Sequence, residues 1–152
     1  MQKFRGVSNL SLDAKGRIVL PARYRERLAE ICASQLVITI DTEQPCLLIY
    51  PLNEWETIEV KIESLPSFNS VTRRIQRLLI GHATDVEVDS NGRMLLSNPL
   101  REYAQLGKKV VLIGQGKKFE LWDESLWSQR MEEWLADKTD GQMPDALAEL
   151  TL

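Results

Sequence analysis

Two pentapeptides, DAKGR at residues 13–17 and DSNGR at residues 89–93, each set an Asp and an Arg four positions apart around a Gly. At that spacing a carboxylate can accept backbone N–H bonds across a turn and hold the guanidinium beside it. An Arg presented on a rigid turn can in addition donate to phosphates, or twice to a guanine edge in the major groove. Lys15 lies inside the first turn, and Arg23, Arg25 and Arg27 follow it closely. The chemistry these residues suggest is recognition of a polyanion. Catalysis would need other parts: the chain has no GxSxG, HExxH, Walker loop or GxGxxG. Its single histidine, His82, offers any triad only one possible base and reads as a structural or surface residue. The sequence therefore predicts no enzyme, no metal, no cofactor and no small-molecule substrate.

The charge distribution fits a polyanion partner. The chain has 152 residues and a net charge of −3. Residues 1–27 nevertheless hold seven basic residues against two acidic ones, or +5, whereas residues 120–152 hold two basic against nine acidic, or −7. The two ends thus have different electrostatic roles. The acidic end could serve solubility or screen the basic loops. Hydrophobic residues make up 43% of the chain, enough for one domain or two joined small ones. No secretory leader and no run of membrane-spanning length is evident, so the expectation is a soluble cytoplasmic protein. Cys32 and Cys46 match no CxxC and read as buried free thiols.

The elements that position the two turns come twice. LDAKGRIVL (12–20) aligns without a gap to VDSNGRMLL (88–96), an offset of 76. The same offset pairs Arg25-Glu26 with Arg101-Glu102, and after a gap LLIYPLNEW (47–55) parallels FELWDESLW (119–127). Each copy reads as strand, Gly turn, strand, short helix, strand, strand, helix. Leu10 and Leu12, like Val86 and Val88, alternate with polar residues as half-buried strands do. Gly16 and Gly92 supply the positive-φ position that turns the chain back, with Asn91-Gly92 the stronger hairpin signal. Pro21 and Pro99 suit the first turn of a helix, and Tyr24, Leu28 and Ile31 continue at helical spacing. QLVITI with CLLIY, and KVVLIG with KFELW, read as paired hairpins. A helix is predicted from Asn53, capped by its side chain with Glu56 as partner, and facing inward through Trp55, Ile58, Ile62 and Leu65. A second runs from about Val71 to Ile80 and ends at Gly81. Trp122, Trp127 and Trp134 read as core or subunit-contact anchors, and the last segment, residues 146–152, as mobile or docked on a neighbour.

Together with LPARYRERL, PCLLIYPLNEWE, RRIQRLLIGHA and GKKFELWDESLW, the paired DxxxR motifs closely resemble the MraZ family of bacterial transcriptional regulators, built from two SpoVT/AbrB-type halves. The resemblance spans roughly residues 4–135. It implies an α+β fold of duplicated swapped-hairpin β-barrel halves with connecting helices and a pseudo-two-fold axis. The corresponding divisions are a first half at 4–53, connecting helices at 54–80, a second half at 81–127, and a C-terminal helix with acidic tail at 128–152. It further implies a ring-shaped homo-oligomer that binds direct repeats in double-stranded DNA at the nucleoid, repressing the division and cell-wall gene cluster that contains the family's own gene. Carried over, Asp13/Arg17 and Asp89/Arg93 are the DxxxR pairs, with Gly16 and Gly92 organising the turns. Arg17 is then the first base or phosphate contact and Lys15 its support. Arg93, Arg23, Arg25 and Arg5 follow, the helical residues weaker because one helix cannot point them all the same way. Lys15, Arg23 and Arg5 are replaced in the second copy by Asn91, Pro99 and Gly81, so DNA contact is expected chiefly from the first loop. The competing reading is a protein-interaction scaffold whose basic face meets acidic protein surfaces.

Overall fold

The computed structural model describes residues 3–137 together with Leu147, Glu149 and Leu150. The expectations for an acidic tail beyond residue 137 therefore fall largely outside the described residues. The first copy comprises β1 (Phe4–Ser11), β2 (Arg17–Val19), α1 (Ala22–Cys32), β3 (Gln35–Ile40), β4 (Leu47–Pro51) and α2 (Leu52–Glu63). A connector follows, made of α3 (Ser70–Ile75) and a π-helical turn over Gln76–Ile80. The second copy is β5 (Thr84–Glu87), β6 (Arg93–Leu95), α4 (Asn98–Tyr103), β7 (Lys109–Gly116), β8 (Phe119–Asp123) and α5 (Glu124–Ala136).

The strand that enters each Gly turn does not pair with the strand that leaves it. All eight residues of β1 pair antiparallel with β7 of the other copy, from Phe4 opposite Gly116 to Ser11 opposite Lys109. In return, β5 pairs with β3 of the first copy. The large sheet has the order β1-β7-β8-β4-β3-β5, and β2 pairs with β6 in a separate two-stranded ribbon. Neither half closes a barrel by itself, since each lends its first strand to the other. The duplication becomes a pseudo-two-fold within this exchange. Ile18 faces its repeat counterpart Met94 across the ribbon, and Leu48 faces Glu120, its counterpart in the second aligned block, across β4 and β8.

Exchange of strands gives the halves one core. Phe4 and Tyr24 from the first copy pack on Phe119 from the second, with ring centroids 4.4 and 4.9 Å from it. Leu28, Leu36, Leu100 and Leu112 fill the same interior. The β3/β4 hairpin is apolar on both faces, with β4 buried at every position. One face meets the main core, and Val37, Leu48 and Tyr50 on the other pack against Trp55 of α2. Trp122 is buried beneath α5 and contacts Trp127 and Trp134 edge-on.

Several local expectations are corrected. The helix predicted from Asn53 begins at Leu52, with Pro51 at the cap and no side-chain cap bond. Pro51 presets the φ that starts a helix, so the Asn is already inside the first turn. Leu65 lies beyond its end and is exposed. Gly81 does not terminate the connector through a left-handed conformation, because its φ is −61° and the chain stays helical through His82. Cys46 is buried, but Cys32 is only half-buried, and both are free thiols.

Candidate nucleic-acid interface

The two DxxxR turns have the same internal geometry. Asp13 Oδ1 accepts the backbone N–H of Lys15 and of Arg17, both at 2.9 Å, while Oδ2 accepts Arg17 Nε at 2.8 Å. Asp89 repeats this with Asn91, Arg93 and Arg93 Nε at 2.9, 2.9 and 3.0 Å. Gly16 at φ +84° and Gly92 at φ +77° complete the turns in a conformation that any Cβ would strain. Each carboxylate is held below its ordinary value of 3.8, chiefly by the backbone N–H of its Arg and then by that residue's side chain. Because the folded value is depressed, the contribution to stability is complete above the unfolded value and lost as pH falls through the folded one. Denaturant unfolding against pH is expected to show no effect of Asp13 or Asp89 titration between about pH 5 and 8. Below 3.8 the wild type should lose stability more steeply than the Asp13→Asn, Asp89→Asn double variant.

The antiparallel ribbon places the two turns at its opposite ends. Arg17 stands opposite Leu95, and Arg93 opposite Val19. Strand alternation sends Ile18 and Met94 into the core at 0% and 1% exposure, and turns Arg17, Val19, Arg93 and Leu95 outward. Val19 and Leu95 are 47% and 55% exposed. The outer face therefore carries Arg17 and Arg93 at the two ends of one diagonal and Val19 and Leu95 at the two ends of the other, diagonal neighbours of this kind standing roughly 7–8 Å apart. A two-stranded ribbon of this kind has the width that a major groove admits, and its Arg residues can donate to base edges or phosphates.

The remaining cations separate. Lys15 is exposed on the first turn. Arg23 lies 4.5 Å from the Tyr24 ring centroid and its Nη2 donates to Ser8 Oγ at 2.9 Å. Arg5 sits near the start of β1 opposite Gln115, roughly 20 Å from the end of that strand at about 3.3 Å per residue, and the turn lies beyond it. Arg27 donates to Lys3 O. Arg25 is half-buried: its Nε donates to Leu20 O at 2.7 Å, and its guanidinium lies so close to Gly92 that a Cβ there would stand 2.2 Å from Nε.

Arg101, which the sequence shows as the repeat of Arg25 without showing its role, performs the reciprocal task. Its Nε donates to Leu96 O at 3.2 Å, and a Cβ on Gly16 would stand 2.7 Å from its Cζ. Backbone bonds reinforce both contacts, Leu20 N to Gly92 O at 2.8 Å and Leu96 N to Gly16 O at 2.9 Å. Each half thus holds the other's turn. The glycines serve twice, once for φ and once for the space an Arg occupies.

Elsewhere, His82 Nδ1 bonds Leu78 O and the ring lies beside Tyr103. Asp41, Cys46 and Glu120 bring their ligand atoms within 4.8 Å of one another. Burial and the two carboxylates push the Cys46 thiol up, and Glu120 already accepts Trp122 Nε1. Among the described residues no helix is long and apolar enough to cross a membrane.

Comparison with known proteins shows the family to which the chain belongs. The family model described as "MraZ protein, putative antitoxin-like" matches residues 3–78 and again 79–143. Among curated relatives, "Transcriptional regulator MraZ" from Halorhodospira halophila is 55% identical over 98% of this chain and 99% of its own length. Proteins of the same name from Pseudomonas aeruginosa and Alkalilimnicola ehrlichii are 54% and 53% identical, each over 98% of this chain and 99% of theirs. These relatives bear the name of a regulator, not of an enzyme. With the family model met once in each half and the relatives aligned nearly end to end, the chain belongs to the MraZ family.

Proposed function

We propose that this chain is a cytoplasmic, nucleoid-associated transcriptional regulator that binds double-stranded DNA in a sequence-specific way through the outer face of the β2/β6 ribbon. The observation that carries the reading is the pair Arg17 and Arg93, fixed by Asp13 and Asp89 on one exposed face. Each guanidinium is oriented by its carboxylate, so little side-chain entropy is lost when it donates to DNA. Lys15 adds a phosphate contact at the first turn, where the second has Asn91.

The target is a set of direct repeats upstream of the protein's own division and cell-wall gene cluster, and the outcome is repression. One ribbon makes few contacts, so useful affinity comes from a ring of identical chains whose ribbons meet successive repeats at high effective concentration. Exposed apolar side chains support assembly. Val60, Leu65, Phe68 and Val71 lie around α2 and α3, and Met131, Trp134 and Leu135 share one side of α5. Two unlike patches on one chain suit head-to-tail contacts, which close into rings.

A mobility-shift titration over a salt series tests the reading, using the promoter repeats and a scrambled duplex of equal length. The expected result is preference for the repeats and an affinity that falls with salt by about 0.9 log unit per log unit for each phosphate neutralised. Equal binding to both duplexes removes sequence specificity. A flat salt dependence favours the protein-interaction scaffold instead.

A further inference from the structure

Beside the first turn lies a cleft of about 590 Å³ whose walls come from both halves. Asp13 and Ala14 of the turn form one side, and Arg101, Gly107 and Lys108 of the second half form the other. The Asp13 carboxylate is occupied by two backbone N–H groups and Arg17. Arg101 is fixed more firmly than its counterpart: Nε is bound to Leu96 O and Nη2 to Asn98 Oδ1, whereas Ala22 stands at the position equivalent to Asn98 and leaves Arg25 with Leu20 O as its one side-chain acceptor among the described residues. Its Nη1 donates to no protein group among the described residues, and Lys108 is exposed and forms no ion pair there. The backbone shows what faces the second turn in the same place. Leu12 N donates to Lys108 O, and its repeat Val88 N donates to Ser34 O. The second turn therefore has Arg25 and a serine where the first has Arg101 and a lysine.

We infer that Arg101 and Lys108 form a phosphate-binding notch for the DNA backbone, so that the first reading turn is completed by the opposite half of the chain. The inference rests on the DNA-binding reading above. Arg101 supplies a fixed, planar donor and Lys108 a mobile point charge, a pairing suited to one phosphate oxygen group flanking the base contacted by Arg17. This adds a second reason for the inequality of the two turns. Besides having Asn91 for Lys15, the second turn lacks a cation at Ser34.

The test compares wild type, Lys108→Ala, Arg101→Gln and Arg17→Ala on repeat and scrambled duplexes across a salt series. Lys108 does not pack on the Gly16 turn, so Lys108→Ala keeps the test independent of any effect of Arg101→Gln on turn geometry. Lys108→Ala is expected to weaken binding to both duplexes about three- to tenfold and to make the salt slope shallower by about 1. Arg17→Ala is expected to erase the preference between duplexes. If Lys108→Ala retains wild-type affinity and slope while wild type still prefers the repeats, the notch is wrong and the ribbon reading stands. If wild type shows no salt-dependent binding at all, the ribbon reading fails first.

Discussion

Arg17→Ala is expected to weaken binding to the promoter repeats about a hundredfold or more while leaving the thermal midpoint within a few degrees of wild type. A good bidentate contact to a base supplies about 1–3 kcal/mol of discrimination. In a ring with several ribbons on repeated boxes the loss is multiplied over linked contacts. Stability changes little because the Arg17/Asp13 pair is solvent-accessible, with side-chain exposures of 28% and 39%. Exposed pairs of that kind contribute roughly 0–1 kcal/mol. Asp13 Oδ1 would still hold the turn through the N–H groups of residues 15 and 17. Arg93→Ala should follow the same pattern with a smaller loss, since its turn lacks both Lys15 and Lys108. Mobility shifts paired with thermal melts of the same samples separate the two effects. Near-wild-type binding by Arg17→Ala, with the oligomer intact, would remove this residue from the interface.

What the sequence discloses and what it conceals divide along physical lines. Asp, Gly and Arg at fixed spacing determine a turn through bonds among five residues, so the turn's chemistry is legible in both copies. The same holds for the β3/β4 and β7/β8 hairpins, whose partners are neighbours in sequence. Exchange of β1 and β5 is not legible in the residues themselves and is anticipated only through the family resemblance, because alternation fixes which face of a strand is buried but not which edge it pairs with. The Gly turn suggests a hairpin, yet β1 has eight residues to pair and β2 has three, so β1 gains more from β7. Arg25 illustrates the same limit for charges. On a helix it reads as solvated or phosphate-seeking, and only the tertiary arrangement brings it over the missing Cβ of Gly92. Arg101 has a signal in the repeat itself, since a cation recurring at an offset of 76 points to a task that both halves share, the hold on the opposite turn, whereas Lys108 beside it has no repeated cation to mark it.

Gly114→Val is expected to destabilise the protein by about 3–5 kcal/mol, comparable to deletion of a large core side chain. Gly114 faces Gly6 across the β1/β7 ladder, where Gly6 has φ +108°. A Cβ on Gly114 would stand 2.5 Å from Arg5 N and 2.8 Å from both Arg5 Cα and Phe4 C. All three are backbone atoms, so no side-chain rotation relieves the contact and the start of β1 must lift away. Phe4 then leaves the cluster it forms with Tyr24 and Phe119, and the bond from the Tyr24 hydroxyl to Arg5 O is lost with it. Gly81→Ala provides the control, because its φ is −61° and a Cβ there meets nothing within 4 Å. That change should be neutral or stabilising by about 0.4–1 kcal/mol. Urea unfolding of the three proteins at one concentration measures the contrast, and equal stability of Gly114→Val and wild type would contradict the β1/β7 register. A displaced β1 also leaves β7 as an unpaired edge, so the variant should aggregate on heating more readily than wild type. Since β1 leads directly into the Asp13 turn, the strand that joins the halves also carries the first of the two turns proposed to read DNA, and its loss should weaken DNA binding even where the ribbon residues are intact.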